Sequence, residues 1–165
     1  MQSVLRKKKV LVAMSGGVDS SVAALLLREA GYEVAGATML LGVHRSGDQA
    51  GRFTDESVAD AQRVCGQLGI SHRIFDFAGL MERRVIGKFI REYQSGRTPN
   101  PCVDCNRHLK FGALFAKARG LGFDYLATGH YAKIEKREER WALIKPRDEA
   151  KDQTYFLYSI PAGDL

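Results

Sequence analysis

Residues 9–14 (KVLVAM) form a short apolar run that stops abruptly at Ser15-Gly16-Gly17, and an amphipathic stretch begins at once. The run does not alternate polar with apolar. Its side chains are therefore buried on both faces, which is how a strand inside a parallel sheet reads. Val18, Val22, Leu25 and Leu26 follow at i, i+4, i+7 and i+8, predicting one apolar helix face that ends at Gly31. A buried strand handed through glycines into a helix is a βα unit, and the pattern recurs. Residues 33–41, 72–77 and 125–128 read as three more core strands, the last ending at Gly129. Residues 42–53 are polar and read as a loop. Thr54 then predicts an N-cap, with Ala61, Val64, Cys65 and Leu68 on the buried face of the next helix. Ile86, Phe89, Ile90 and Tyr93 mark a further amphipathic helix closed near Gly96. Pro99 and Pro101 predict a loop over residues 98–105. Phe111, Leu114, Phe115 and Ala118 repeat the helical spacing, and residues 131–137 and 141–145 read as a hairpin around a charged turn. The expected architecture is α/β, a Rossmann-like parallel sheet with helices on both faces. Such sheets bind ligands beyond the strand C-termini, where strand order reverses.

Composition narrows the class. Hydrophobic residues make up 45% of the 165, enough to offset chain entropy, so a folded chain with one core is expected. No run approaches the roughly 20 apolar residues of a membrane span. The apolar run after Lys7-Lys8-Lys9 is too short for a secretory signal. Three cysteines, Cys102 and Cys105 at C-x-x-C spacing plus a distant Cys65, do not make a secreted disulfide framework, so a reducing cytoplasm is expected. Net charge is +6, and residues 83–119 hold nine basic residues against two acidic ones. The whole excess thus lies in one segment. Two readings stand: a polyanion-binding surface, with Arg83, Arg84, Lys88 and Arg91 on one face, or a pair of solvated helix faces.

The sharpest motif follows the first strand. Ala13 and Met14 close the strand; Ser15, Gly16, Gly17, Val18, Asp19, Ser20 and Ser21 carry it into the helix. Glycines let backbone amides approach an anion, and the helix start adds unpaired N–H groups and a positive dipole end. The three serines add hydroxyl donors. This describes a phosphate cradle, yet it has neither the spacing nor the lysine of a Walker A loop, nor the G-x-G-x-x-G of a dinucleotide fold.

S-G-G-V-D-S-S resembles the PP-loop of the ATP pyrophosphatases, which split ATP into AMP and pyrophosphate. Three more motifs, T-P-N-P-C-V-D-C-N at 98–106, T-G-H-Y at 128–131 and K-D-Q-T-Y-F-L at 151–157, extend the match. From residue 9 to 158 the chain resembles the tRNA-specific 2-thiouridylases. The resemblance implies ATP and Mg²⁺ as cofactors, with tRNA and a persulfide-carrying sulfur-donor protein as partners, and no membrane. The chemistry is coherent. A urea-like C2 carbonyl is a poor electrophile with a hopeless leaving group, and adenylation turns its oxygen into AMP. The PP-loop holds the departing pyrophosphate, and a sulfur nucleophile attacks C2. Arg97, Arg107 and Lys110 are candidates for the positive field that lowers a thiol pKa.

By resemblance, Cys105 is the nucleophile, and Asn100, Pro101 and Cys102 lie against the target base. Many relatives carry Asp where this chain has Cys102. The Cys102/Cys105 pair instead resembles the branch of sulfur-transfer enzymes associated with a [4Fe-4S] cluster. Cluster ligation wants at least three cysteines, and Cys65, on an apolar helix face, reads as a structural thiol. Asp19 is either a Mg²⁺ ligand or a helix cap. Met39 is either an adenine contact or a core methionine. Gly129 is a nucleotide contact or a turn glycine, and His130 a tRNA or phosphate contact or a structural histidine. Lys151, Asp152 and Gln153 match a tRNA-contacting stretch, while Tyr155, Phe156 and Tyr158 read as core or interdomain packing. The family continues into a second catalytic cysteine and a β-rich region, so the chain is expected to be the N-terminal PP-loop catalytic domain alone. Two rival readings are an amide-forming or other PP-loop enzyme and a non-catalytic ATP- or tRNA-binding module.

Overall fold

The computed structural model describes residues 6–42 and 50–164. Along the chain run β1 (Lys9–Ala13), α1 (Val18–Glu29), β2 (Glu33–Leu40), α2 (Ala50–Gln67), β3 (Ser71–Asp76), α3 (Ala78–Met81) and a π-helical turn (Glu82–Ile86). Next come α4 (Gly87–Gln94), α5 (Pro101–Asp104), a π-helix (Cys105–Leu114), α6 (Phe115–Gly120), β4 (Tyr125–Ala127), β5 (Lys133–Arg137) and β6 (Arg140–Ile144), then short 3-10 turns. They form two compact units, Met1–Asp76 with Phe115–Gly129 and Phe77–Leu114 with His130–Leu165.

The first unit carries a four-stranded parallel sheet in the order β3-β2-β1-β4. The chain steps outward from β1 to β3, then places β4 on the other side of β1, so strand order reverses between β1 and β4. Asp124 fixes that last pairing. Its carboxylate accepts from Lys9 N at 2.8 Å and from Arg6 and Lys8, and its own N–H donates to Lys9 O at 2.9 Å. These bonds hold the Asp124 carboxyl down at about 2. Val10, Val12, Met14 and Val34 pack with Ala24 of α1 and with Ala61 and Cys65 of α2 in one cluster. Leu11, Ala35 and Ala37 point the other way along the same strands and are equally buried, so both sheet faces are covered. The expected α/β class is the observed one.

Several local expectations are corrected. On α1 the buried residues are Ser20 and Ala24, with Leu27 packed against the core. Val18, Val22 and Leu26 are 76%, 44% and 58% exposed, and Leu25 is half-buried. At its first turn the helix lies so close to β4 that only small side chains fit beneath it: a Cβ at Gly129 would lie 2.7 Å from Ser20 N. Large residues are turned outward. The loop expected over residues 42–53 ends early, because α2 is already helical at Ala50, which puts Thr54 inside the helix rather than at its cap; residues 43–49 of that expectation lie outside the described residues.

In the second unit, the loop expected over 98–105 is helical from Pro101. Asn100 caps that helix through its side-chain oxygen, which accepts from Cys102 N at 3.0 Å, and Pro101 takes the first turn, where its missing N–H costs nothing. Phe89, Ile90 and Tyr93 are exposed and Val85 is buried instead, because the π-helical turn at Glu82–Ile86 shifts the phase of the helix. Tyr155 and Tyr158 are exposed, not core; Leu157 and Ile160 are the buried residues of that stretch. The hairpin forms as expected, β5 pairing with β6 in antiparallel register.

Gly36 marks the tightest point of the first core. A Cβ there would lie 2.5 Å from Cys65 Sγ and 3.0 Å from Met14 Cγ. Gly36→Ala is expected to cost about 1–3 kcal/mol by overpacking. In urea denaturation, adding Cys65→Ala should recover part of that loss, the sign of direct contact.

Candidate active site

The nucleotide residues expected from sequence all fall in the first unit, at the C-terminal edge of its sheet. Ala13 ends β1, Met39 lies near the end of β2 and Gly129 follows β4. Gly16 takes a left-handed φ of +79°, and a Cβ there would sit 2.6 Å from the Ser57 carbonyl oxygen of α2. Both the conformation and the space demand glycine. Gly17 is the N-cap and carries no side-chain cap, and Asp19 is the acidic residue of the first turn at the positive end of the α1 dipole. The serines brace the loop from within. Ser20 Oγ donates to Gly17 O at 3.1 Å, Ser21 Oγ donates to the same oxygen at 2.8 Å, and Ser15 N donates to Ser20 Oγ at 3.3 Å. Ser20 is buried, while Ser15, Val18 and Asp19 are exposed.

Met14 is a core residue whose backbone is pinned at both ends. Its N–H donates to Ala37 O at 2.7 Å and its carbonyl accepts from Thr38 Oγ1 at 3.0 Å. Since the Thr38 hydroxyl spends its proton there, it accepts from His72 Nε2 at 2.8 Å. This fixes the His72 tautomer, and burial holds that ring below its ordinary pKa. Sequence reading missed this relay, because one Thr and one His on neighbouring strands carry no motif. Met39 is half-buried near the end of β2. Gly129 has no left-handed φ and is no turn glycine; it is glycine because the first turn of α1 abuts it.

The thiol and tRNA residues expected from sequence all fall in the second unit. Cys102 is exposed and Cys105 half-buried, on consecutive turns of the helix that Asn100 starts. Asp104 is buried and anchors this helix to α4 through Lys88 Nζ at 2.8 Å. Asn106 donates to Phe156 O at 2.9 Å. Lys110 Nζ lies 3.4 Å from His130 Nε2, and Tyr131 and Gln153 exchange two hydrogen bonds, at 2.9 and 3.0 Å. Asp152 accepts from Thr154 N and Oγ1, which holds its carboxyl below the usual range and ties it to the start of the next turn. Lys151 is exposed. Of the three cations expected near the nucleophile, Arg97 is committed to Glu92 and Arg107 is exposed. Burial pushes the Cys105 thiol up; Lys110 opposes that and Cys102 adds to it. Burial, then Lys110, holds His130 down at about 4.

Two thiols alone do not make an iron–sulfur site. Among the described residues no three Cys, His, Asp or Glu side chains converge, and Cys65 is shut inside the first core. Neither Cys102 nor Cys105 is assigned here as a metal ligand. No helix among the described residues is long and apolar enough to cross a membrane.

Residues 8–165 match the family described as tRNA methyl transferase HUP domain. The chain belongs to that family. It is 62% identical over 159 residues to tRNA-specific 2-thiouridylase MnmA 1 of Syntrophus aciditrophicus (strain SB), a match covering 96% of this chain and 43% of that protein. It is 52% identical over 162 residues to tRNA-specific 2-thiouridylase MnmA of Clostridium beijerinckii, covering 96% and 45%. The chain thus spans less than half the length of these curated relatives. Among solved structures, it is similar to a predicted subunit of tRNA methyltransferase from Methanocaldococcus jannaschii, with TM-score 0.50 and 18% identity over 95% of this chain and 64% of that one. That likeness concerns the fold alone.

The depressed His130 gives a pH signature. Its folded pKa of about 4 lies below the ordinary 6.5, so the unfolded chain binds more protons in between and stability falls as pH drops from about 6.5 to about 4. Urea midpoints taken across that range should fall less steeply in His130→Asn than in the parent chain.

Proposed function

We propose that this chain is the ATP-using part of a tRNA 2-thiouridylase. ATP binds on Ala13, Met14 and the loop from Ser15 to Ser21, with adenine beside Met39 and Gly129. The loop activates the C2 oxygen of a wobble uridine as its AMP ester. The uridine enters beside Asn100, Pro101 and Cys102, and Cys105 delivers sulfur received from a persulfide donor protein. His130, Lys151, Asp152 and Gln153 contribute to the tRNA surface. The basic residues Arg83, Arg84 and Arg91 add phosphate contacts whose affinity falls with salt.

One observation carries the reading: an uncapped helix start behind a loop that two glycines and its own serines hold rigid, in a chain that also presents a C-x-x-C pair on a second capped helix. Methyl transfer needs no ATP-splitting loop; the curated relatives are named for 2-thiolation, and activating a C2 oxygen as AMP for attack by sulfur calls for such a loop and a thiol. Asp19, exposed in the first turn of α1, offers the hard oxygen that Mg²⁺ takes together with phosphates. Bound there, the ion would neutralise the charge on pyrophosphate. The half-buried Cys105 thiol is a weak acid at rest, which suits a sulfur that is loaded and unloaded rather than permanently ionised.

With ATP, Mg²⁺ and unmodified tRNA, pyrophosphate release is expected to depend on the tRNA. Binding of ATP and tRNA without any release would favour the non-catalytic module, and release driven by a small acid would favour an amide-forming enzyme. Cys105→Ser, assayed in a chain of the relatives' full length, is expected to abolish thiolation while leaving ATP affinity within about twofold of the parent, since its loss touches no nucleotide contact.

A further inference from the structure

The segment Cys105–Leu114 is wound as a π-helix over ten residues, far longer than the single-turn π-bulges usual in proteins. In a π-helix the backbone bonds i to i+5 and the turn is wider than in an α-helix, so the residues four and five places on flank residue i one turn later. For Cys105 those residues are Leu109 and Lys110, and of the two only Lys110 carries charge. In an α-helix the neighbours would be His108 and Leu109. The observed winding instead sends Leu109 fully into the core and leaves Lys110 half-buried. The winding depends on glycine: a Cβ at Gly112 would lie 2.9 Å from the Arg107 carbonyl oxygen, the residue five before it. The same arrangement recurs at the other π turn, where a Cβ at Gly87 would lie 3.2 Å from Glu82 O.

Charge bookkeeping singles out the same lysine. Lys88 is paired with Asp104 and Arg97 with Glu92, whereas among the described residues no carboxylate pairs with Lys110. Arg84 and Arg107 act on His108, not on Cys105. The neighbour that Lys110 does have is His130, 3.4 Å away with its ring neutral at physiological pH. A neutral imidazole accepts from the ammonium without competing for the role of cation, and Phe111 lies against the same ring at 6.2 Å.

We infer that Lys110 is the charge partner of the Cys105 sulfur, placed there by the π winding that Gly112 permits and steadied by His130. Gly112 and His130 are positioning residues; neither acts on the sulfur itself. The inference rests on the reading of Cys105 as the sulfur-carrying thiol, and it names the group that stabilises negative charge on that sulfur when the thiol is deprotonated.

The test is the pH profile of Cys105 alkylation by iodoacetamide, read residue by residue by peptide mass spectrometry, with no ATP or tRNA present. Lys110→Met should move the Cys105 profile to higher pH and slow its alkylation at pH 8 by about 3- to 10-fold, the scale of half to one pKa unit. Lys110→Arg should keep most of the parent rate. Gly112→Ala should reproduce the Lys110→Met profile while circular dichroism stays helical, and His130→Asn should give an intermediate one. If Gly112→Ala does not fold, the two Lys110 variants decide alone, and Lys110→Gln replaces Lys110→Met should the latter be unstable. An unchanged Cys105 profile in a folded Lys110→Met or Lys110→Gln chain overturns the inference and leaves the thiolation reading intact. Thiolation that survives Cys105→Ser would overturn that reading while leaving the charge pairing measurable.

Discussion

The C-terminal edge of the parallel sheet, where the candidate nucleotide loop lies, depends on backbone meeting backbone where no Cβ fits. Gly129, at the end of β4, lies against the first turn of α1, and Gly16 lies against the Ser57 carbonyl of α2. Those approaches set how closely α1 comes to the sheet, and the closeness decides which of its residues face inward. Ser20 and Ala24 fit beneath it, and larger residues do not. Gly16 and Gly17 carry the chain from β1 into α1, and the Ser20 and Ser21 bonds to Gly17 O brace the loop from within.

The second unit positions its chemistry by helical winding. Asn100 and Pro101 define where the helix starts, so they define where Cys102 and Cys105 fall on it. The Asp104–Lys88 pair and the Asn106–Phe156 bond then fix the rotation of that helix within its unit. The loosened π turns that follow bring a different set of side chains alongside Cys105 than an α-helix would. Two glycine-dependent devices thus serve two different ends: close packing in one unit and altered pitch in the other.

The parallel sheet, its four strands and the cradle after β1 were legible in the sequence, because apolar runs and glycine placement report burial and backbone freedom directly. What failed was phase. Apolar spacing placed the buried face of α1 on Val18, Val22 and Leu26, but spacing records which residues are apolar, not how near the helix comes to the sheet. On α4 the π turn moved the phase by a residue, and nothing in the local composition announces such a turn. Pro101 was read as a helix breaker because its first-turn role depends on the cap before it. The Thr38–His72 relay joins residues 34 apart in sequence and exists only once strands β2 and β3 pair.

Cys65 has a use that its burial confers. Gly36 makes the hollow into which its sulfur fits, and Met14 closes against the same hollow. Of the three thiols, this one is sealed while Cys102 and Cys105 meet solvent to different degrees. A count of modifiable sulfurs is therefore a built-in gauge of the intact core: two for the native chain, three once the sheet has opened, with no added label or dye.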